Sequence, residues 1–124
     1  MRTMVGIGVA GAAGALARYG LEGLVSQKTP TAFPWGTFAV NITGAFVVGF
    51  LFVLLTERFA VAPWLRSSLL IGLIGGYTTF STFTLETYRL IEDGSLLAAA
   101  ANGLGSLAAG LLAVYAGVVV GRAI

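Results

Sequence analysis

The chain has 124 residues, 57% of them hydrophobic and 10% charged, with a formal net charge of +2. Soluble domains carry roughly a quarter charged residues, and a chain this short leaves much of its surface uncovered, so these side chains require lipid as their solvent. Cysteine and histidine are absent, which excludes disulfides and Cys/His metal or catalytic centres, and the singly scattered basic residues exclude the clustered face that nucleic acid needs.

A helix crosses the hydrocarbon core with about 20 mostly apolar residues, and residues 1–124 read as one domain of four such helices. The first runs from about Met4 to Val25. Its start, MRTMVGIGVAGAAGALA, has the basic end, apolar run and small residues of a signal peptide, but three more spans follow and the segment reads as a retained helix. Gly6, Ala10 and Gly14 recur at every fourth position, a stripe that lets helix backbones approach in lipid. Arg18 continues that stripe. It is placed to pair with Glu22 one turn on, to snorkel to the interface, or to draw anions to a pathway mouth.

The polar, proline-bearing stretch SQKTPTAFP leads to the second span, about Trp35 to Leu55. There Thr37, Asn41, Gly44 and Val48 share one face. Asn41 is placed either to bond a neighbouring helix or to line a pathway. The third span starts at Trp64 or Leu65, ends at Leu90, and contains GGYTTFSTF, Gly75 to Phe83. The paired glycines predict a break in this helix. Carbonyls at the end of its first half suit a small cation, and the positive dipole end of its second half suits an anion. Thr78, Thr79, Ser81 and Thr82 supply hydroxyls, and Phe80 and Phe83 share a face, placed either to fill the core or face lipid, or to meet an anion with electropositive ring edges. Glu86 follows Thr82 by four residues, within reach of its hydroxyl. A polar turn with Ser95 as N-cap precedes the fourth span, Leu96 to Val120, where Asn102 and Ser106 are four apart and a glycine-rich stripe ends at Gly117 and Gly121.

Four spans put both termini on one side with Arg2, Arg58, Arg66 and Arg122, against Lys28 and Arg89 on the other, joined by Arg18 if it reaches that interface. Orientation follows such a bias, and one this slight is either what short membrane proteins commonly carry or the mark of a chain that inserts both ways and pairs antiparallel with itself. No repeat relates the two halves, so any pseudo-symmetry must come from a second chain. Neutral donors, ring edges and a helix N-terminus, without fixed charge at mid-membrane, favour a small anion held weakly enough to move on.

The segments GAAGALARYG, GTFAVNITGAFVVG and GLIGGYTTFSTFTLE closely resemble the Fluc, or CrcB-type, fluoride channels. The resemblance implies an all-α antiparallel dual-topology homodimer in the plasma (inner) membrane, with two fluoride pores along the subunit boundary. Asn41, Thr79, Phe80, Ser81, Thr82, Phe83, Asn102 and Ser106 would line them, Glu86 would neighbour the pathway, and Arg18 would shape the vestibule. A structural sodium ion would sit at the dimer centre on backbone carbonyls of Gly75 and Thr78. It implies a passive channel, expelling fluoride that entered as the neutral acid. The rival is a small multidrug-resistance-type proton-coupled cation exporter, which needs a deep carboxylate where this chain has only Glu22 near a helix end and the off-centre Glu86. No nucleophile–base pair or metal cluster for an enzyme can be assembled.

Overall fold

A computed structural model describes all of residues 1–124, entirely as helices and short connections. Helix α1 is Arg2–Lys28, α2 is Trp35–Arg58, α3 covers residues 63–77, α4 is Phe80–Glu92 and α5 is Leu96–Ala123. Four spans are long and apolar enough to cross a membrane, with α3 and α4 together forming the third. Only 16 residues are buried, while large apolar side chains such as Leu16, Leu97, Leu107 and Leu112 stand exposed along the spans. In water that surface would be untenable; in hydrocarbon it is the matching face. The chain is therefore a multi-pass membrane protein.

The expected boundaries hold to within about a turn, with each helix extending slightly further. Two π-helical turns, Leu54–Arg58 and Ser68–Ile74, were not foreseen. Each inserts an extra residue into the helical ladder, as when the Phe59 N–H reaches back to the Leu54 carbonyl at 2.9 Å. Ser95 occupies its expected N-cap position, but its side chain makes no capping bond. The turn before it is set by Gly94, whose φ of 76° lies in the left-handed region that glycine tolerates.

Helix α1 packs on α3, and α2 on α5. Both contacts bring backbone against backbone. A Cβ at Gly14 would collide with the Leu73 carbonyl, and one at Gly76 would lie 2.5 Å from the Gly11 carbonyl. On the other pair, Gly117 meets the Phe46 carbonyl and Gly49 that of Val114. Without a hydrophobic force between helices in lipid, such close approach supplies the dispersion contact that holds them. The glycine stripe of α5 divides, because Gly103 and Gly110 meet nothing within 4 Å. At the end that carries both termini, Arg122 clasps Glu57 with paired bonds of 2.9 and 3.1 Å, Arg58 donates to the Arg122 carbonyl, and Arg2 lies 5.3 Å over the Trp64 ring.

Gly14→Val should lower stability by about 1–3 kcal/mol, the usual range for overpacking a tight contact. Thermal unfolding in detergent checks this; an unchanged midpoint would mean that α1 and α3 are not in backbone contact there.

Candidate functional site: the broken third span

The third span breaks, though not at its glycines. Gly75 is helical, with φ −63° and ψ −35°. The chain becomes extended only at Thr78 (φ −79°, ψ 157°) and Thr79 (φ −144°, ψ 117°). The expectation that Gly75 and Gly76 unwind the helix is thus corrected. Gly76 is small because α1 lies against it, and the break follows two residues later, at Thr78.

A break frees peptide groups that lipid cannot satisfy. Asn41, on α2, answers both groups of one residue: its Oδ1 accepts from the Thr79 N–H at 2.8 Å, and its Nδ2 donates to the Thr79 carbonyl at 3.0 Å. An N–H can only donate, so the orientation of the amide is forced. The Thr79 side chain then caps α4, its Oγ1 accepting from the Thr82 N–H at 3.3 Å. Nearby, the Thr43 hydroxyl donates to the Ala39 carbonyl at 2.7 Å, so the Tyr77 hydroxyl must be the donor in the 2.7 Å bond between them.

Two cavities flank the break. One, of about 530 Å³, lies between α4 and α5 with Asn41, Phe80, Phe83, Thr87 and Ser106 on its walls. The other, of about 400 Å³, is bounded by Asn41, Gly44, Gly75, Thr78, Thr79 and Phe80. Asn41 and Phe80 belong to both. The Phe80 and Phe83 rings sit 5.9 Å apart with their planes at 45°, and Phe80 is 78% exposed on this single chain.

The remaining expected site residues separate into groups. Asn102 is wholly buried behind the first cavity, donating to Thr87 Oγ1 at 2.8 Å and accepting from Ser106 at 3.3 Å. Ser81 and Thr82 line neither cavity; their hydroxyls gather around Thr79 instead, at 3.5 and 3.1 Å. Thr78 turns its hydroxyl to the Ile74 carbonyl at 3.0 Å. Helical hydroxyls commonly bond back to the preceding turn, a local competition that residue counting overlooks. Glu86 accepts from Thr37 at 2.9 Å rather than from Thr82. Its other oxygen, Oε2, is buried without a partner, and the residue borders a third cavity of about 390 Å³ beneath the connection between α1 and α2, with Arg89 and Asp93. Arg18 forms no ion pair with Glu22, the one salt bridge being Arg122–Glu57. Nor does Arg18 reach the walls of these three cavities.

Sequence reasoning missed Thr37, Thr43, Tyr77 and Thr87 as partners of the site. For Thr37 the signal was present, since it shares a helix face with Asn41. For Thr87, four residues past Phe83, the signal is its place on the same α4 face.

The profile of the family described as "CrcB-like protein, Camphor Resistance (CrcB)" matches residues 5–118. The chain is 48% identical over 124 residues to a protein of Geobacter sp. (strain M21) named "Fluoride-specific ion channel FluC", with both chains covered completely. The same name is borne by a protein of Geotalea uraniireducens (strain Rf4), 48% identical over 124 residues and also fully covered. A protein of Nitratidesulfovibrio vulgaris (strain DSM 19637 / Miyazaki F), again so named, is 46% identical over 122 residues, 98% of each chain.

Asn41→Leu should destabilise the fold by about 1–3 kcal/mol for each of the two orphaned Thr79 peptide groups. Denaturation in detergent checks this, and a stability within error of the parent chain would show that the break closes without Asn41.

Proposed function

The chain belongs to the CrcB-like family, and from that membership we propose that it is a passive fluoride channel of the plasma (inner) membrane. The observation that carries the reading is the cavity walled by Phe80 and Phe83 at the break, in a chain that matches fluoride-specific channels end to end. Ring edges and the N-terminus of α4 supply positive potential without a fixed cation, as conduction requires. The relatives' names also leave the proton-coupled cation exporter without support.

The working unit in this reading is an antiparallel homodimer with two pores along the boundary. The surface beside the break supports it: Gly75 and Phe80, which flank the extended Thr78 and Thr79, are exposed on the single chain. A second copy laid over this face would cover them, and the slight charge bias permits the opposite insertion it needs. The pores would pass Asn41, Thr79, Phe80, Phe83 and Ser106, with Asn102, Ser81 and Thr82 supporting the walls, Glu86 nearby, and Arg18 acting on the approaching ion from outside.

In this reading a sodium ion would occupy the second cavity. A continuous helix would return the Thr79 N–H to the Gly75 carbonyl; here that N–H goes to Asn41, which leaves the carbonyl a free acceptor. No cluster of His, Cys, Asp or Glu could hold a metal instead. Backbone carbonyls of Gly75 and Thr78 from both chains would hold the ion, replacing its water as channel carbonyls do, and would pin the two copies together. Fluoride that entered as the neutral acid would leave as the anion, driven by about 2.3 kcal/mol per charge per 100 mV of inside-negative potential.

Proteoliposomes clamped with a potassium ionophore should release fluoride and retain chloride; retention of fluoride, or equal loss of both, would end the channel reading. Phe80→Ile and Phe83→Ile should each cut throughput by about tenfold or more, roughly the loss of 1.4 kcal/mol of stabilisation at the narrowest point, while leaving the dimer intact. Normal flux in both would remove the rings from the pathway. Cross-linking in cells should find antiparallel pairs, and a single uniform orientation would rule out dual topology.

A further inference from the structure

The cavity beside Phe80 and Phe83 has hydroxyls of Thr84, Thr87, Tyr88 and Ser106 on its walls. A small anion needs their protons, and every one is already committed. Thr84 donates to the Phe80 and Ser81 carbonyls at 3.1 and 3.0 Å, and Tyr88 to Glu92 at 3.0 Å. Thr87 donates to the Phe83 carbonyl at 2.8 Å. A carbonyl has no proton to give, so Thr87 can only accept on its other side. Asn102 must therefore present its Nδ2 to Thr87, at 2.8 Å, and its Oδ1 to Ser106. An amide oxygen is likewise protonless, so Ser106 is the donor. One backbone oxygen, that of Phe83, sets the direction of the whole relay.

We infer that Asn102 is a positioning residue that holds the Ser106 proton away from the cavity until an anion draws it in. Ser106 is the hydroxyl able to exchange. Its 3.3 Å bond to Asn102 is the longest in the relay, well beyond the usual 2.7–2.8 Å for such a pair, whereas Thr84 and Thr87 are bound to carbonyls of their own helix. Asn102 is wholly buried, so its own hydrogens stay behind the wall. When Ser106 turns to an anion, the Asn102 oxygen is left unpaired, and that cost weakens binding. Weak binding is what passage requires. A strong acceptor such as fluoride can extract the proton, while a larger and more diffuse anion such as chloride competes poorly with an amide oxygen. Asn102 thus tunes affinity and selectivity from outside the pore.

The inference rests on the fluoride-channel reading, and fluoride efflux measured against concentration in proteoliposomes separates the two. Wild-type protein that passes no fluoride overturns the channel reading itself. If wild type conducts, Asn102→Leu should lower the half-saturating fluoride concentration by about tenfold, the equivalent of one unsatisfied acceptor removed from the bound state. Ser106→Ala should raise that concentration, and adding Asn102→Leu in the Ser106→Ala background should change it no further. An unshifted value in Asn102→Leu, or the same shift with and without Ser106, overturns the inference. A second measurement avoids any folding defect of the variants. In wild-type protein with isotopically labelled asparagine, the Asn102 side-chain carbonyl resonance should move on adding fluoride but not chloride. A resonance indifferent to fluoride overturns the inference equally.

Discussion

The site depends on the pair of hydrogen bonds between the Asn41 amide and the Thr79 peptide. In hydrocarbon each unsatisfied peptide group costs several kcal/mol, so a helix can stop mid-membrane only where something replaces its ladder. Asn41 does so with one side chain, imitating a neighbouring backbone. The extended conformation at Thr78 and Thr79 then becomes affordable, α4 starts anew, and Phe80 comes to stand between two cavities.

The two halves of the broken span are held by different forces. The first half, α3, lies against α1 through glycine contacts that leave no room for a Cβ. The second half, α4, is tied largely through polar side chains: Asn41 and Thr37 from α2, and Asn102 from α5. Close backbone packing is rigid because a contact at van der Waals distance has nowhere to move. Hydrogen bonds between side chains have partners that can exchange, and Ser106 with Asn102 is the instance nearest the pathway.

Much of this arrangement was legible in the sequence. The spans follow from length and apolarity, Asn41 and Ser106 were recognisable as polar groups within a membrane span, and Phe80 and Phe83 as a pair on one helix face. What escaped was decided at long range. The break falls at Thr78 and Thr79 because Asn41, the partner of the Thr79 peptide, lies 38 residues away, and Glu86 turns to Thr37 across 49 residues. Counting hydroxyls as free donors also misled: Thr78 bonds to a carbonyl one turn back, and Ser81 and Thr82 gather on the Thr79 hydroxyl. The π-helical turns have no counterpart in residue pattern that we can identify.

The shared wall of the two cavities has a thermodynamic consequence. Asn41 and Phe80 face both spaces, so a guest on one side that shifts either residue alters the free energy of a guest on the other. Such linkage is reciprocal: whatever factor the first imposes on the second's affinity, the second returns to the first. A cation beside Gly75 and an anion beside Phe83 would then act as mutual effectors, and the same wall that separates them would carry their cooperativity.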